Sequence, residues 1–169
     1  SLEINLTWSA AGDPDPTDQG PEAGPDLDLH FRHPFAVDWF DQPFDCFWFN
    51  THPNWGAIDP TVNDDPILML DSTDGSGPEQ LIFDAPQEEA VYRVGVHAWS
   101  DHGYGPMEAQ ITISVGGWLA YEATVTLDNH DLWEVATFDG STGQLEILVD
   151  EDGEPLILSD YETPFFPAP

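Results

Sequence analysis

The feature that most constrains this chain is its charge. Thirty-three acidic residues stand against two arginines and no lysine, which gives a formal net charge of −31 over 169 residues. Self-repulsion of that size opposes a compact fold unless cations offset it. Twenty-one of the acids are aspartates, and most of them fall in short turn-like clusters. Clustered aspartate beside glycine favours calcium, a hard cation that takes about six to eight oxygen ligands.

The composition indicates a folded body rather than an acidic tail. Hydrophobic residues make up 40% of the chain and include seven Trp and ten Phe, whereas disordered acidic segments are poor in aromatic residues. The 16 prolines and 14 glycines argue against long helices. We expect one domain over residues 1–169, with an extended proline-rich tail at 159–169.

Several partners and linkages are disfavoured by composition. Nucleic acid and anionic membranes need patches of lysine and arginine that this chain lacks, and no run approaches the roughly 18 apolar residues of a spanning helix. The single cysteine, Cys46, precludes an internal disulfide. Its aromatic neighbours predict a buried thiol, with an intermolecular disulfide as the alternative. No signal peptide is apparent after Ser1, so we expect a processed mature protein or a piece of a larger one.

Alternating apolar and polar residues predict an all-β fold without a substantial helix. Residues 2–8 alternate strictly, and a glycine pair at 116–117 is typical of a two-residue hairpin. About nine or ten short strands at near-regular spacing indicate an antiparallel β-sandwich of jelly-roll-like character. The segment 32–65 has no period, and a loop of that length is expected to be functional or held in place by other groups.

The first candidate ligands lie on a predicted strand. In the sequence Asp26-Leu27-Asp28-Leu29-His30, alternation places the two aspartates and the histidine on one face. Two carboxylates about 7 Å apart on one face repel each other unless a cation or a donor lies between them. An edge strand with solvated acids is the alternative.

A glycine-rich turn at residues 71–79 supplies further candidates. Its short side chains let several oxygens converge on one ion, although its spacing and flanks do not fit an EF-hand. The stretch 97–105, which follows another predicted strand, adds one more carboxylate. Solvated turns without a metal are the alternative. The predicted calcium ligands are Asp26, Asp28, Asp71, Asp74, Glu79 and Asp101.

Two weaker metal sites are also considered. Asp13, Asp15 and Asp18 have a spacing that could wrap a second calcium ion in a proline-containing loop, although a solvated loop explains them equally well. His30, His97 and His102 could in principle bind zinc. Packed, hydrogen-bonded histidines are the favoured interpretation, because no zinc-type spacing is present.

Two catalytic or ligand-binding alternatives remain open at this stage. Seven aromatic residues between Trp39 and Trp55 could line a sugar-binding platform if they form an exposed, coplanar strip, but a core beneath the long loop explains them as well. A hydrolase would need a pocket around Asp101 and His102. No nucleophile elbow, P-loop or dinucleotide fingerprint is present.

As a set, these motifs resemble a family of secreted bacterial β-sandwich domains that recur in large surface or lipoprotein-like proteins. The resemblance covers roughly residues 20–138. The stretches that carry it are 26–30, 39–55, 71–79, 92–103 and 131–136. A more distant similarity is to the calcium-binding β-sandwich modules appended to secreted peptidases, of the pre-peptidase C-terminal type. The resemblance implies a sandwich and an extracellular setting, and it implies no established activity.

The sequence therefore predicts a non-enzymatic, calcium-stabilised structural or adhesion module, secreted or at the cell surface. Self-assembly into a filament or surface layer by strand addition, through the strand at 2–8 or through the tail, is one extension of this hypothesis. The alternatives are a carbohydrate-binding module for extracellular polysaccharide and a metal-dependent hydrolase. Adaptation to concentrated salt is a second explanation of the acidity, and it is compatible with calcium binding.

Overall fold

The computed structural model describes residues 1–73 and 75–164. Within these ranges the chain forms eleven strands and no helix. The strands are β1 (Leu2–Ala10), β2 (Asp26–Arg32), β3 (Asp45–Cys46), β4 (Ile67–Leu70), β5 (Glu79–Phe83), β6 (Val91–Ser100), β7 (Met107–Val115), β8 (Trp118–Leu127), β9 (Leu132–Asp139), β10 (Leu145–Ile147) and β11 (Leu156–Leu158).

The strands confirm the predicted antiparallel sandwich. One sheet has five strands in the order β4-β5-β1-β7-β8. The other has six strands in the order β10-β9-β6-β2-β3, and β11 also pairs with β9. Gly116 and Gly117 join β7 to β8 with φ angles of 59° and 81°, which are the positive values that a type I′ hairpin turn requires.

The main core fills the space between the two sheets. Leu2, Ile4, Leu6 and Trp8 of β1 are all buried, as the strict alternation predicts, and they belong to the same cluster as Leu29 of β2. The prediction that residues 2–8 form an exposed strand for another subunit is wrong, because β1 lies between β5 and β7 in the interior of its sheet.

A second, smaller core covers the opposite face of the six-stranded sheet. It is built largely by the long segment between β2 and β4, from which Trp39, Phe40 and Phe47 pack with Leu132 of β9. A Cβ atom on Gly95 of β6 would lie 2.7 Å from the Trp39 ring, so the indole rests directly on the sheet backbone. The expectation that the loop at 32–65 is held in place is therefore confirmed.

A buried polar pair fixes the start of this covering segment. Asp45 of β3 accepts a hydrogen bond from the Phe40 amide, and the same carboxylate oxygen lies 2.7 Å from Nδ1 of His30. Both the His30 and the Asp45 side chains are fully buried. The His30 ring stacks on Phe47 with ring centroids 5.0 Å apart and meets Trp39 and Phe40 edge to face, so this hydrogen-bonded pair is surrounded by aromatic side chains. Cys46, the next residue of β3, is buried, as predicted.

His97 of β6 completes the second core from the sheet side. Its Nε2 lies 3.3 Å from the carbonyl oxygen of Tyr161, and its ring meets Phe40 edge to face. Burial, with a smaller contribution from His30, lowers the pKa of His97 to about 3. The imidazole is therefore neutral in the folded protein across the whole range in which an unfolded histidine, with a pKa of about 6.5, takes up its proton.

His97 is predicted to make the protein acid-sensitive. Because its pKa is depressed on folding, its stability contribution is complete above about pH 6.5 and is lost as pH falls towards 3, at about 1.4 kcal/mol per pH unit. In His97→Gln this slope should disappear, so the difference in unfolding free energy between wild type and variant should shrink between pH 7.5 and pH 5. Urea titrations at both pH values measure it. His52→Gln, at an exposed histidine, is the control, and an unchanged difference for His97→Gln would contradict the assignment.

Candidate metal centre

The candidate site lies along the edge of β2 that β3 leaves open. Strand β3 pairs only with Phe31 and Arg32, so the earlier part of β2 has no strand partner on that side within the described residues. The Leu29 amide instead donates a hydrogen bond of 2.6 Å to Oε2 of Glu79, at the start of β5 in the other sheet. A buried backbone amide requires a partner, and here a carboxylate from the opposite sheet supplies it.

Three carboxylates converge at this edge. One oxygen each from Asp28 of β2, Asp71 just after β4 and Glu79 of β5 lie within 4.8 Å of one another. Asp28 is only 3% exposed and Glu79 is fully buried, whereas Asp71 is exposed. The cluster thus has a buried floor and a side open to solvent, through which an ion could enter.

The turn that carries two of these carboxylates is held against the sandwich. The Ser76 carbonyl accepts a hydrogen bond from the Trp8 amide of β1. A Cβ atom on Gly24 would lie 2.8 Å from Cα of Gly75, so two backbone segments meet there without room for a side chain. Gly77 has a φ of 83°, which glycine adopts at no steric cost. The glycines of this turn therefore allow two backbone segments to approach closely, and they also allow the chain to reverse direction.

The electrostatics of the cluster are unfavourable without a proton or a cation. Burial raises the pKa of Asp28 well above its ordinary value, and the charges of Asp26 and Asp71 raise it further. Burial also raises the pKa of Glu79, with Asp28 as the next cause, although the bond from the Leu29 amide opposes the shift. Oδ2 of Asp28 is buried and has no hydrogen-bond partner among the described residues. A buried carboxylate in that state is costly unless it is neutralised.

A cavity of about 180 Å³ opens beside the carboxylates. It is bounded by two tryptophans from the second core, together with acids of β2 and the turn after β4. Its lining residues are Asp26, Asp28, Trp48, Asp71, Thr73 and Trp99. The two indole rings stand 5.6 Å apart at 73° to each other. The site therefore combines acidic groups with a pair of indole rings.

The structure brings together part of the predicted ligand set. Asp28, Asp71 and Glu79 form the cluster, and Asp26 lines the adjoining cavity. The prediction for Asp74 falls outside the described residues. Asp101 does not join the cluster, because its carboxylate accepts a hydrogen bond from the Gly103 amide in a local turn.

The weaker predicted metal sites do not assemble in the described part of the chain. Asp13 and Asp15 accept hydrogen bonds from backbone amides two residues onward, and Asp15 and Asp18 are exposed. These are solvated turns. The three candidate zinc ligands also have separate contacts: His30 meets Asp45, His97 meets the Tyr161 carbonyl, and Nδ1 of His102 lies 2.6 Å from the Gly24 carbonyl.

The aromatic strip expected of a sugar platform does not form. Trp39, Phe40 and Phe47 are buried in the second core, and Phe49 is exposed but lies nearly perpendicular to Trp48. Sequence reasoning did not anticipate that Trp48 and Trp99 would instead border the acidic cavity. Trp99 lies at a β-bulge, where the register with β2 shifts between Asp26 and Leu27. No residue spacing in the sequence predicts this bulge.

Comparisons with known proteins add no relative. No protein-family profile, curated protein or solved structure matches the chain significantly, so the resemblance described above stays a prediction. Among the described residues there is no helix of the length and apolarity needed to cross a membrane.

Replacing Glu79 with Gln tests the charge of the cluster. Glutamine keeps an acceptor for the Leu29 amide but removes one of three clustered negative charges. In EDTA at pH 7.5 we expect Glu79→Gln to exceed wild type in unfolding free energy by about 1–3 kcal/mol, the usual range for relieving an uncompensated buried polar group. Urea denaturation measures this. Glu122→Gln, at an exposed position of β8, is the matched control. A variant less stable than wild type would show that Glu79 is not electrostatically stressed.

Proposed function

We propose that this protein is a non-enzymatic extracellular structural or adhesion module whose sandwich is stabilised by calcium bound at Asp28, Asp71 and Glu79. Two observations carry the proposal: these three carboxylates converge, and one of them, Asp28, has a buried oxygen, Oδ2, with no partner within the described residues. Turn aspartates commonly lie together on a surface, but they seldom include a buried, unpaired oxygen.

The donor set favours calcium over other common metal ions. All three candidate ligands are carboxylates, which suit hard cations, whereas zinc sites in proteins usually include histidine or cysteine. Magnesium demands near-ideal octahedral geometry and keeps several of its waters, while calcium tolerates irregular sets of carboxylate, carbonyl and water oxygens. Two buried carboxylates and one exposed carboxylate form such an irregular set, with the open side left to water.

The proposed ion would link elements of the two sheets in addition to the hydrophobic packing between them. Asp28 belongs to the six-stranded sheet, Glu79 belongs to the five-stranded sheet, and Asp71 lies in the turn between β4 and β5. An ion shared by the three would join the two sheets beside the open part of β2 and would hold the turn through Asp71. This role suits a chain that has a single, free cysteine and therefore no internal disulfide. Millimolar extracellular calcium would keep even a weak site filled.

Self-assembly by strand addition remains part of the proposal, now at a different strand. Strand β8 ends the five-stranded sheet, is ten residues long and contains one charged residue, Glu122. Trp118 and Leu119 at its start are exposed. A long edge with few charges is a template for pairing with another chain. A strictly monomeric species in analytical ultracentrifugation at high protein concentration and saturating calcium would remove this extension and leave the metal centre untouched.

Calcium is predicted to raise the thermal unfolding midpoint of the wild-type protein. At about 100 times the dissociation constant, a ligand that binds only the folded state adds about 2.7 kcal/mol, or about 5–10 °C for a chain of this size. Calorimetry in EDTA and in excess calcium measures the shift. The same shift should be absent in Glu79→Gln and retained in Glu122→Gln.

Sodium chloride at matched ionic strength separates this effect from general screening. Screening should raise the midpoint of every variant equally, because it acts on the net charge rather than on one site. Identical midpoints for wild type in EDTA and in calcium at equal ionic strength would refute the calcium centre and leave salt adaptation as the explanation of the acidity.

A further inference from the structure

The cavity beside the carboxylates is lined partly by groups that cannot act as ligands for a metal ion. A divalent ion is ligated by oxygen atoms, and Asp28 and Asp71 can supply them. The cavity is also lined by Trp48 and Trp99, whose indole rings offer no ligand of that kind. The volume of about 180 Å³ is more than ten times the roughly 15 Å³ that one water requires, so there is room for a small organic group.

The electrostatics of this cavity favour a positively charged occupant. Asp26, Asp28 and Asp71 contribute three carboxylates to its lining, and the chain has no lysine to balance them. Both arginines are engaged elsewhere: Arg32 lies over the Trp39 ring, and Arg93 pairs with Glu134. If a calcium ion were bound to Asp28, Asp71 and Glu79, those three charges would retain a formal −1, and Asp26 would bring the local sum to −2.

The two tryptophans indicate which class of cation would bind in the cavity. Indole rings attract cations through the negative potential of their faces, and aromatic side chains recognise quaternary ammonium groups in this way. The two rings meet at 73° with centroids 5.6 Å apart, so they can contact a compact, roughly spherical group from two directions. A sugar would instead stack its flat face on one exposed indole face, whereas these two rings meet at a steep angle.

We propose that the cavity lined by Asp26, Asp28, Asp71, Trp48 and Trp99 binds a small organic cation bearing a methylated ammonium group. This proposal goes beyond the structural role proposed above and does not require the calcium ion. Asp28 supports it independently of the acidic cluster as such, because this lining residue is only 3% exposed and its buried Oδ2 has no protein donor among the described residues. The remaining surface of the cavity would contact the methyl groups of the ligand.

Choline and its neutral isostere, 3,3-dimethyl-1-butanol, test the proposal on the intact protein. The two differ essentially in the charge of one central atom. We expect choline to change the tryptophan fluorescence saturably in EDTA, and the isostere to bind at least about tenfold more weakly, since cation–π and carboxylate attraction are both lost. Equal affinities would overturn the proposal, as would no saturable response to choline in either EDTA or calcium. Binding of a neutral methyl glycoside without choline binding would assign the cavity to sugars and also overturn it.

A lysine placed in the cavity mouth provides the matched variant. Thr73 is exposed and lines the cavity, so Thr73→Lys should fold, occupy the site with its own ammonium and reduce choline affinity by about tenfold or more. Thr124→Lys makes the same charge change at an exposed position of β8 and should bind choline as wild type does. Equal loss in both variants would show that net charge alone controls binding, which would contradict a defined site.

Terbium luminescence keeps this test separate from that of the metal centre. Terbium replaces calcium at oxygen sites, and indole rings lining the adjacent cavity should sensitise its emission. Terbium emission without a choline response would refute the ammonium site and support the metal centre. A choline response without terbium emission would support the ammonium site and refute the metal centre. With both present, calcium should weaken choline binding and choline should weaken calcium binding by the same factor, because thermodynamic coupling is reciprocal.

Discussion

Both cores and the candidate site depend on the incomplete pairing of strand β2. Its neighbour β3 pairs only with Phe31 and Arg32. The rest of that edge is nevertheless buried, so its backbone groups need partners from elsewhere. Glu79 meets the need of the Leu29 amide from the opposite sheet. This solution introduces a carboxylate into an enclosed place next to Asp28, and the electrostatic problem that follows is the reason to expect a cation there.

The acidity of the chain has two components with different physical consequences. Seven acids are buried among the described residues, and most of the others are partly or fully exposed to solvent. The buried ones are Asp26, Asp28, Asp45, Asp65, Glu79, Asp131 and Glu134. Exposed carboxylates act through the net field of the molecule, which salt screens. The buried group around Asp28 is screened far less, so a specific cation would act on it where general salt would not. The proposed calcium binding and salt adaptation therefore make different experimental predictions.

Local patterns predicted the strands well but not their surroundings. Alternation located β1 and most other strands, and it placed Asp26 and Asp28 on one face with the turn at 71–79 as a partner. It did not reveal that β1 is central, because a half-buried pattern is the same at an edge and in the interior. Nor did it show that the aperiodic segment 33–66 covers the outer face of β2. Asp101 was misassigned because a turn aspartate that bonds its own backbone has the same sequence signature as a ligand.

The enclosure of β2 on both faces has a consequence for how this sequence can diverge. Six consecutive positions, 26–31, are buried. Substitutions that change side-chain size or polarity are therefore constrained on both faces of this strand. Strand β8 is the opposite case, since most of its side chains are partly or fully exposed. Related chains should therefore vary freely along the hairpin after Gly117 while keeping the Asp-Leu-Asp-Leu-His stretch almost letter for letter. That stretch, rather than the abundant surface aspartates, is the mark by which distant relatives would be recognised.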